Sequence, residues 1–171
     1  MVTVLETERL VLSRLSYDDC DFIVELLNEP AFQRFIGDKE VRSRDDAREY
    51  LRKGPIGSYE CHGYGMFLVR NKSDNAPMGM CGLVKREEFD APDVGFAFLR
   101  RYWAKGYAAE SAIAVLEYGK NILQLPRIIA MVDPDNEASI RLVEKLGMTF
   151  ASMVRMPGES QDINMYATVF E

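Results

Sequence analysis

The sequence predicts one domain of mixed α and β structure, spanning residues 1–171 and arranged around a single sheet, and three observations carry that expectation. The chain has 171 residues, enough for one core that buries roughly 68–70% of the unfolded surface. Its hydrophobic period changes along the chain, from helical spacing in the first third to short apolar runs in the middle. Beyond those runs a strand-helix-strand unit follows, from Val94 to Val132. With 47% hydrophobic and 28% charged residues the composition is that of a globular protein, which excludes disordered, collagenous and coiled-coil classes.

Each element has its own reason. Leu10 and Leu12 alternate, a strand signal, and then Phe22, Ile23, Leu26 and Leu27 share one helical face after Ser16, with Asp19 three positions on. Asn28-Glu-Pro30 should end that helix, because the residue before a proline is pushed out of the helical region. A second amphipathic helix follows Ser43, with Ala47, Tyr50 and Leu51 on one side, and Gly54-Pro55 is expected to stop it. That leaves 53–65 as a loop. Met66–Val69, Met78–Val84 and Val94–Leu99 are apolar runs separated by the turns Asn71–Asn75 and Asp90–Asp93, as in adjacent antiparallel strands. A long helix is expected from Tyr107 to Leu123, with Ala108, Ala112, Val115, Leu116 and Ile122 facing the core, followed by the strand Ile128–Val132. A helix from Glu137 to Leu146 should close on Gly147, before strands at Phe150–Val154 and at the alternating Ile163, Met165, Ala167 and Val169.

Lys plus Arg is 21 against 27 for Asp plus Glu, a net charge of −6, where a nucleic-acid binder would carry a basic footprint. No nucleic-acid partner is expected. Cys20, Cys61, Cys81 and the single His62 have no metal-ligand spacing, so the expectation is reduced thiols and no metal site. The N-terminal stretch carries acids where a signal peptide needs an apolar run, and nowhere do 18 apolar residues run together. No membrane partner and a cytoplasmic location are the corresponding expectations; the oligomeric state is left between monomer and homodimer.

Chemistry is concentrated between the strand ending at Leu99 and the helix starting at Tyr107. The segment Arg101-Tyr-Trp-Ala-Lys-Gly-Tyr-Ala108 is a cationic loop feeding a helix N-terminus, where unpaired amides and the positive end of the helix dipole favour an anion. Gly106 lets the backbone approach a ligand closely, and Lys105 adds a point charge. The same composition also describes a plain helix start on a solvated loop.

This loop resembles the acyl-CoA pyrophosphate motif R/Q-x-x-G-x-G/A of the GNAT N-acetyltransferases, and its surroundings are similar to the RimJ/RimL-type branch. Asp93-Val-Gly-Phe96, Asn136-Glu-Ala-Ser139 with Leu142-Val-Glu-Lys-Leu-Gly147, and Glu6-Thr-Glu-Arg-Leu-Val-Leu12 resemble further motifs of that branch, in order, so the resemblance runs from about residue 6 to 169. One position departs: Ala104 stands where the family has its first glycine.

The resemblance implies a mostly antiparallel sheet of about seven strands with a splayed central parallel pair, Asp93–Leu99 and Arg127–Val132, flanked by about four helices. It implies acetyl-CoA as co-substrate, its pantetheine arm bonded to backbone near Phe98 and Leu99 and its pyrophosphate over the amides from Ala104 to Ala108, with Arg101, Lys105, Gly106 and Tyr107 in that cradle. The activity implied is acetyl transfer to a primary amine, a protein α-amine or a small molecule, by direct attack in a ternary complex. The alternative is a silent acyl-CoA-binding or interaction module of the same fold, for which Ala104 is the one hint.

An attacking amine must lose a proton, and Asp93 is the first candidate base; Asp93 also reads as a turn residue after Pro92. Asn136 reads as a helix N-cap, and the resemblance adds contact with the pantetheine arm and makes Ser139 the acid that protonates the thiolate, with Tyr166 as a substitute. His62 reads as a loop residue, Cys81 as core and Trp103 as packing for the loop. At Ala104 a right-handed backbone is expected, because a loop keeping Lys105, Gly106 and Ala108 should not carry a steric block at its centre.

Overall fold

The computed structural model describes residues 1–170; Glu171, the last residue of the expected 1–171 domain, lies outside them. Eight strands form one sheet: β1 (Thr3–Glu6), β2 (Leu10–Arg14), β3 (Met66–Asn71), β4 (Pro77–Val84), β5 (Asp93–Phe98), β6 (Arg127–Val132), β7 (Thr149–Arg155) and β8 (Asp162–Val169). Their spatial order is β1-β2-β3-β4-β5-β6-β8-β7, and every neighbouring pair is antiparallel except β5 and β6. The eighth strand arises because the expected first strand is a hairpin, turning over Thr7–Arg9 between β1 and β2.

Helices cover both faces: α1 (Cys20–Leu27), α2 (Pro30–Phe35), α3 (Arg44–Leu51), α4 (Gly57–His62), α5 (Tyr107–Asn121) and α6 (Glu137–Lys145). Ser16 and Ser43 each close a capping box, with Asp19 and Asp46, so the sequence signals for both N-termini are realised. Pro30 ends α1 and also opens α2, where its missing N–H costs nothing. Gly54-Pro55 does not stop the second helix. A five-residue π segment, Arg52–Ile56, carries the chain through to α4, so 53–62 is helical where a loop is expected. The wider π turn accommodates a proline that an α-helical interior would reject. Gly147, at φ +83°, takes the left-handed C′ position after α6. Ile122 is 68% exposed, contrary to expectation, because α5 ends at Asn121 and the helical face no longer extends that far.

Strand alternation divides the core in two. Phe67, Cys81 and Leu83 pack with Ala112, Val115 and Leu116 of α5 and Val143 of α6, whereas Leu68 and Met80 pack with Ile23, Leu26 and Leu51 on the other face. The feature that matters for function lies between these layers: β5 and β6 are paired at one position only, Asp93 opposite Ile129, and then diverge.

Candidate functional site

A cleft of about 920 Å³ occupies that divergence. It runs from the N-terminus of α5 and the first turn of α6, through the gap between β5 and β6, to α2 and the π segment on the other face.

The gap exposes backbone. Leu99 N–H donates to Met78 C=O, and in an antiparallel ladder alternate residues point the same way, so Ala97 and Gly95 also turn to β4. Phe96 and Phe98 therefore turn their amides and carbonyls into the gap. Trp103 Nε1 donates to the Phe98 carbonyl at 2.8 Å, which leaves the Phe98 amide and both Phe96 groups for a ligand. Leu99 does not serve as expected, because its amide is given to Met78, its carbonyl accepts from Tyr102 N–H, and its side chain is fully buried. Trp103 is likewise more than packing: it is 37% exposed, lines the cleft and closes the end of the gap.

The loop below presents a row of backbone amides. Among the described residues, no acceptor meets the amides from Ala104 to Ala109, and the first bond of α5 is Glu110 N–H to Gly106 C=O. Gly106 adopts φ +81° and Ala104 adopts φ +56°, so the expected right-handed backbone at Ala104 is corrected. Both turns are left-handed because the chain must reverse between the Arg100–Tyr102 turn and α5 while pointing its amides one way, and alanine accepts that at a cost of about 1 kcal/mol. Lys105 Nζ folds back on the Arg101 carbonyl at 3.0 Å, and Arg101 pairs with Glu25 at 2.6 Å.

A residue the sequence does not single out holds this loop. Arg9 donates from Nη1 to the Lys105 carbonyl at 3.0 Å and from Nε to Glu110 at 2.7 Å, and its guanidinium lies over Tyr107. Against the upward push of burial, the Thr7 hydroxyl and the Arg9 amide and guanidinium hold the Glu110 carboxyl below its usual range. The two partners are 101 residues apart in the chain, and no local pattern links them.

Asp93 and Ser139 line the same cleft. Asp93 is the first residue of β5 rather than a turn residue, and it is 4% exposed. Burial pushes its carboxyl up to about 6, against the opposing pull of Arg86, whose Nε sits 3.0 Å from Oδ2. Asn136 does cap α6, its Oδ1 accepting from Ser139 N–H at 3.2 Å, and its amide nitrogen has no partner among the described residues. No protein partner among the described residues takes the Ser139 hydroxyl. Tyr166 is not at the site: it is buried against Phe150 and does not line the cleft. Cys81 is core, its thiol pushed up to about 12 by burial. His62 ends α4 at the cleft rim, stacked on Tyr64, rather than sitting in a loop. Among the described residues no cluster of metal-ligating side chains occurs, and no helix is long and apolar enough to cross a membrane.

The family model described as an acetyltransferase (GNAT) domain matches residues 9–149. The uncharacterized protein YkkB of Bacillus subtilis (strain 168) is 32% identical over 157 residues, which cover 90% of this chain and 89% of YkkB. A crystal structure of an acetyltransferase (GNAT family) from Bacillus anthracis, 28% identical, superposes with a TM-score of 0.80 and covers 99% of this chain and 98% of its own. A RimL ribosomal-protein α-N-acetyltransferase in complex with coenzyme A shares the fold, with a TM-score of 0.83 at 18% identity, over 98% of this chain and 97% of that one.

Proposed function

The chain belongs to the GNAT family and is an acetyl-CoA-dependent N-acetyltransferase, and from that premise we propose that it moves the acetyl group to a primary amine by direct attack in a ternary complex. The observation that carries this reading is the row of unpartnered amides from Ala104 to Ala109 at the foot of a split sheet whose base holds a buried carboxylate. The amides of Ala104, Lys105, Gly106, Tyr107 and Ala108 suit the pyrophosphate, and the Phe96 and Phe98 backbone suits the pantetheine amides as an added strand would. The amide nitrogen of Asn136 reaches the same arm from the other wall. Arg101 serves indirectly, anchoring the loop to α1 through Glu25.

In this reading Asp93 takes a proton from the acceptor ammonium. The neutral amine nitrogen forms a bond to the thioester carbon, the carbon–sulfur bond breaks and the departing thiolate takes the Ser139 hydroxyl proton; the second proton shed by the new amide nitrogen restores that hydroxyl, and the proton on Asp93 passes to solvent. Affinity for the RimJ/RimL branch is supported by the RimL neighbour at the level of the fold.

Two measurements test the reading. Acetyl-CoA at 100 times its Kd should stabilise the protein by about 2.7 kcal/mol in thermal unfolding, with NADH and ATP far less effective. Thiol release should require an amine, and mass spectrometry should find no acetylated enzyme when acetyl-CoA is supplied alone. No thermal response at millimolar acetyl-CoA would overturn the proposal.

A further inference from the structure

The cleft wall opposite the loop has a character of its own. Although the chain is acidic overall, this wall, built by the stretch after α2, the π segment and the β4–β5 turn, presents Lys39, Lys53, Lys85 and Arg86, while the acidic residues lining the cleft are Asp93 at the start of β5 and Asp133 after β6. Lys53 is balanced by Glu49 at 2.9 Å, and Lys85 turns its ammonium to the Arg86 and Phe89 carbonyls, but among the described residues neither Lys39 nor Lys85 meets a carboxylate. A polycationic acceptor would be repelled here.

Deeper in, Arg86 and Asp93 form a specific pair. Only Nε of Arg86 is used, donating to Asp93 Oδ2 at 3.0 Å, so its terminal nitrogens are unpartnered among the described residues. The side chain is 40% exposed while Asp93 is nearly buried, which puts a free guanidinium edge directly beside a carboxylate on the cleft surface. Such a juxtaposition is complementary to a molecule carrying an ammonium and a carboxylate on one carbon. Phe35, Ile36, Met66 and Met80 form an apolar stretch of the cleft lining, beside the more polar Tyr50, Ser58 and His62, and Ile36 is 47% exposed.

Resting on the acetyltransferase reading above, we propose that the acceptor is a free α-amino acid with an apolar side chain. Its ammonium faces Asp93, its carboxylate is held by the terminal nitrogens of Arg86, and its side chain lies against Phe35, Ile36, Met66 and Met80. A peptide N-terminus, an aminoglycoside or a polyamine offers the amine without the adjacent carboxylate and leaves the guanidinium edge unpaired.

The test compares acetyl transfer to L-phenylalanine and L-leucine with transfer to L-phenylalaninamide, phenethylamine, N-terminal peptides and spermidine. The amino acids should have kcat/KM at least about 100-fold above the amide and the decarboxylated amine, as expected when a charged partner built into the site is left unmatched. Arg86→Gln should collapse that ratio toward one, whereas a merely structural role for Arg86 would lower all acceptors together. Equal or better use of the amide, the peptides or spermidine overturns the proposal and leaves the acetyltransferase reading standing, as does acetyl-CoA binding with no acetylation of any of these amines. Failure to bind acetyl-CoA would overturn both.

Discussion

Asp93 must be ionised to take a proton, yet burial resists ionisation, and both consequences are measurable. Activity should rise about tenfold per pH unit below about 6 and level off above it, and Asp93→Asn should lose about 10²–10⁴-fold with that limb abolished. Stability runs the other way. A carboxyl whose folded value lies above its unfolded one keeps its proton longer when folded, so its contribution is complete at low pH and is lost as pH climbs from about 4 to about 6. Asp93→Asn escapes that loss, and its stability relative to wild type should improve across this window in denaturant titrations. Ser139→Ala should lower kcat more than it raises the acetyl-CoA KM, since a proton donor acts chiefly in the transition state; unchanged turnover across pH would reduce Ser139 to a helix-start residue. For Ala104, the left-handed backbone at φ +56° is strained for a residue with a Cβ, and we assign that strain to folding. Ala104→Gly should raise apo stability by up to about 1 kcal/mol, or about 2–4 °C in Tm, and change acetyl-CoA affinity little. A calorimetric gain in affinity of several-fold would show instead that the methyl group crowds the pyrophosphate.

The same contrast between local and distant causes decides which elements the sequence disclosed. The caps at Ser16 and Ser43 and the left-handed stop at Gly147 were readable because each depends on residues within a turn of one another. Gly54-Pro55 is the complementary case: its helix-breaking tendency is real, but the surrounding helix absorbs it in a π segment whose Pro55 is buried. Motif spacing locates the loop and the α6 start, while the direction of each backbone group in the gap depends on register with β4, which commits the Leu99 amide to Met78 and turns the Phe96 backbone toward the gap. The latch from the β1–β2 turn to α5 was invisible, since Arg9 and Glu110 meet only in the folded sheet. Arg9→Ala should free the Lys105 carbonyl and loosen the α5 N-terminus, raising the acetyl-CoA Kd several-fold with kcat at saturation retained. Titration calorimetry paired with saturation kinetics checks this, and an unchanged Kd would make the latch purely structural.

At the scale of the molecule, a sheet joined at its middle by one paired position is two sheets in all but name. On one side lie β1 to β5 with α5, and on the other β6, β8 and β7 with α6, where Phe150, Met153 and Val169 are more than half exposed. Few ladder bonds cross the seam, so the second block is held chiefly by the core it shares with α5, and local opening follows such seams. Native-state hydrogen exchange should therefore show the amides of β6, β7 and β8 opening together, at lower free energy than those of β3 and β4. Saturating acetyl-CoA should bring the two blocks closer in protection, and uniform protection without ligand would contradict this division. The substrate would then act as a removable ninth strand, and each turnover would close and reopen the seam that folding leaves unfinished.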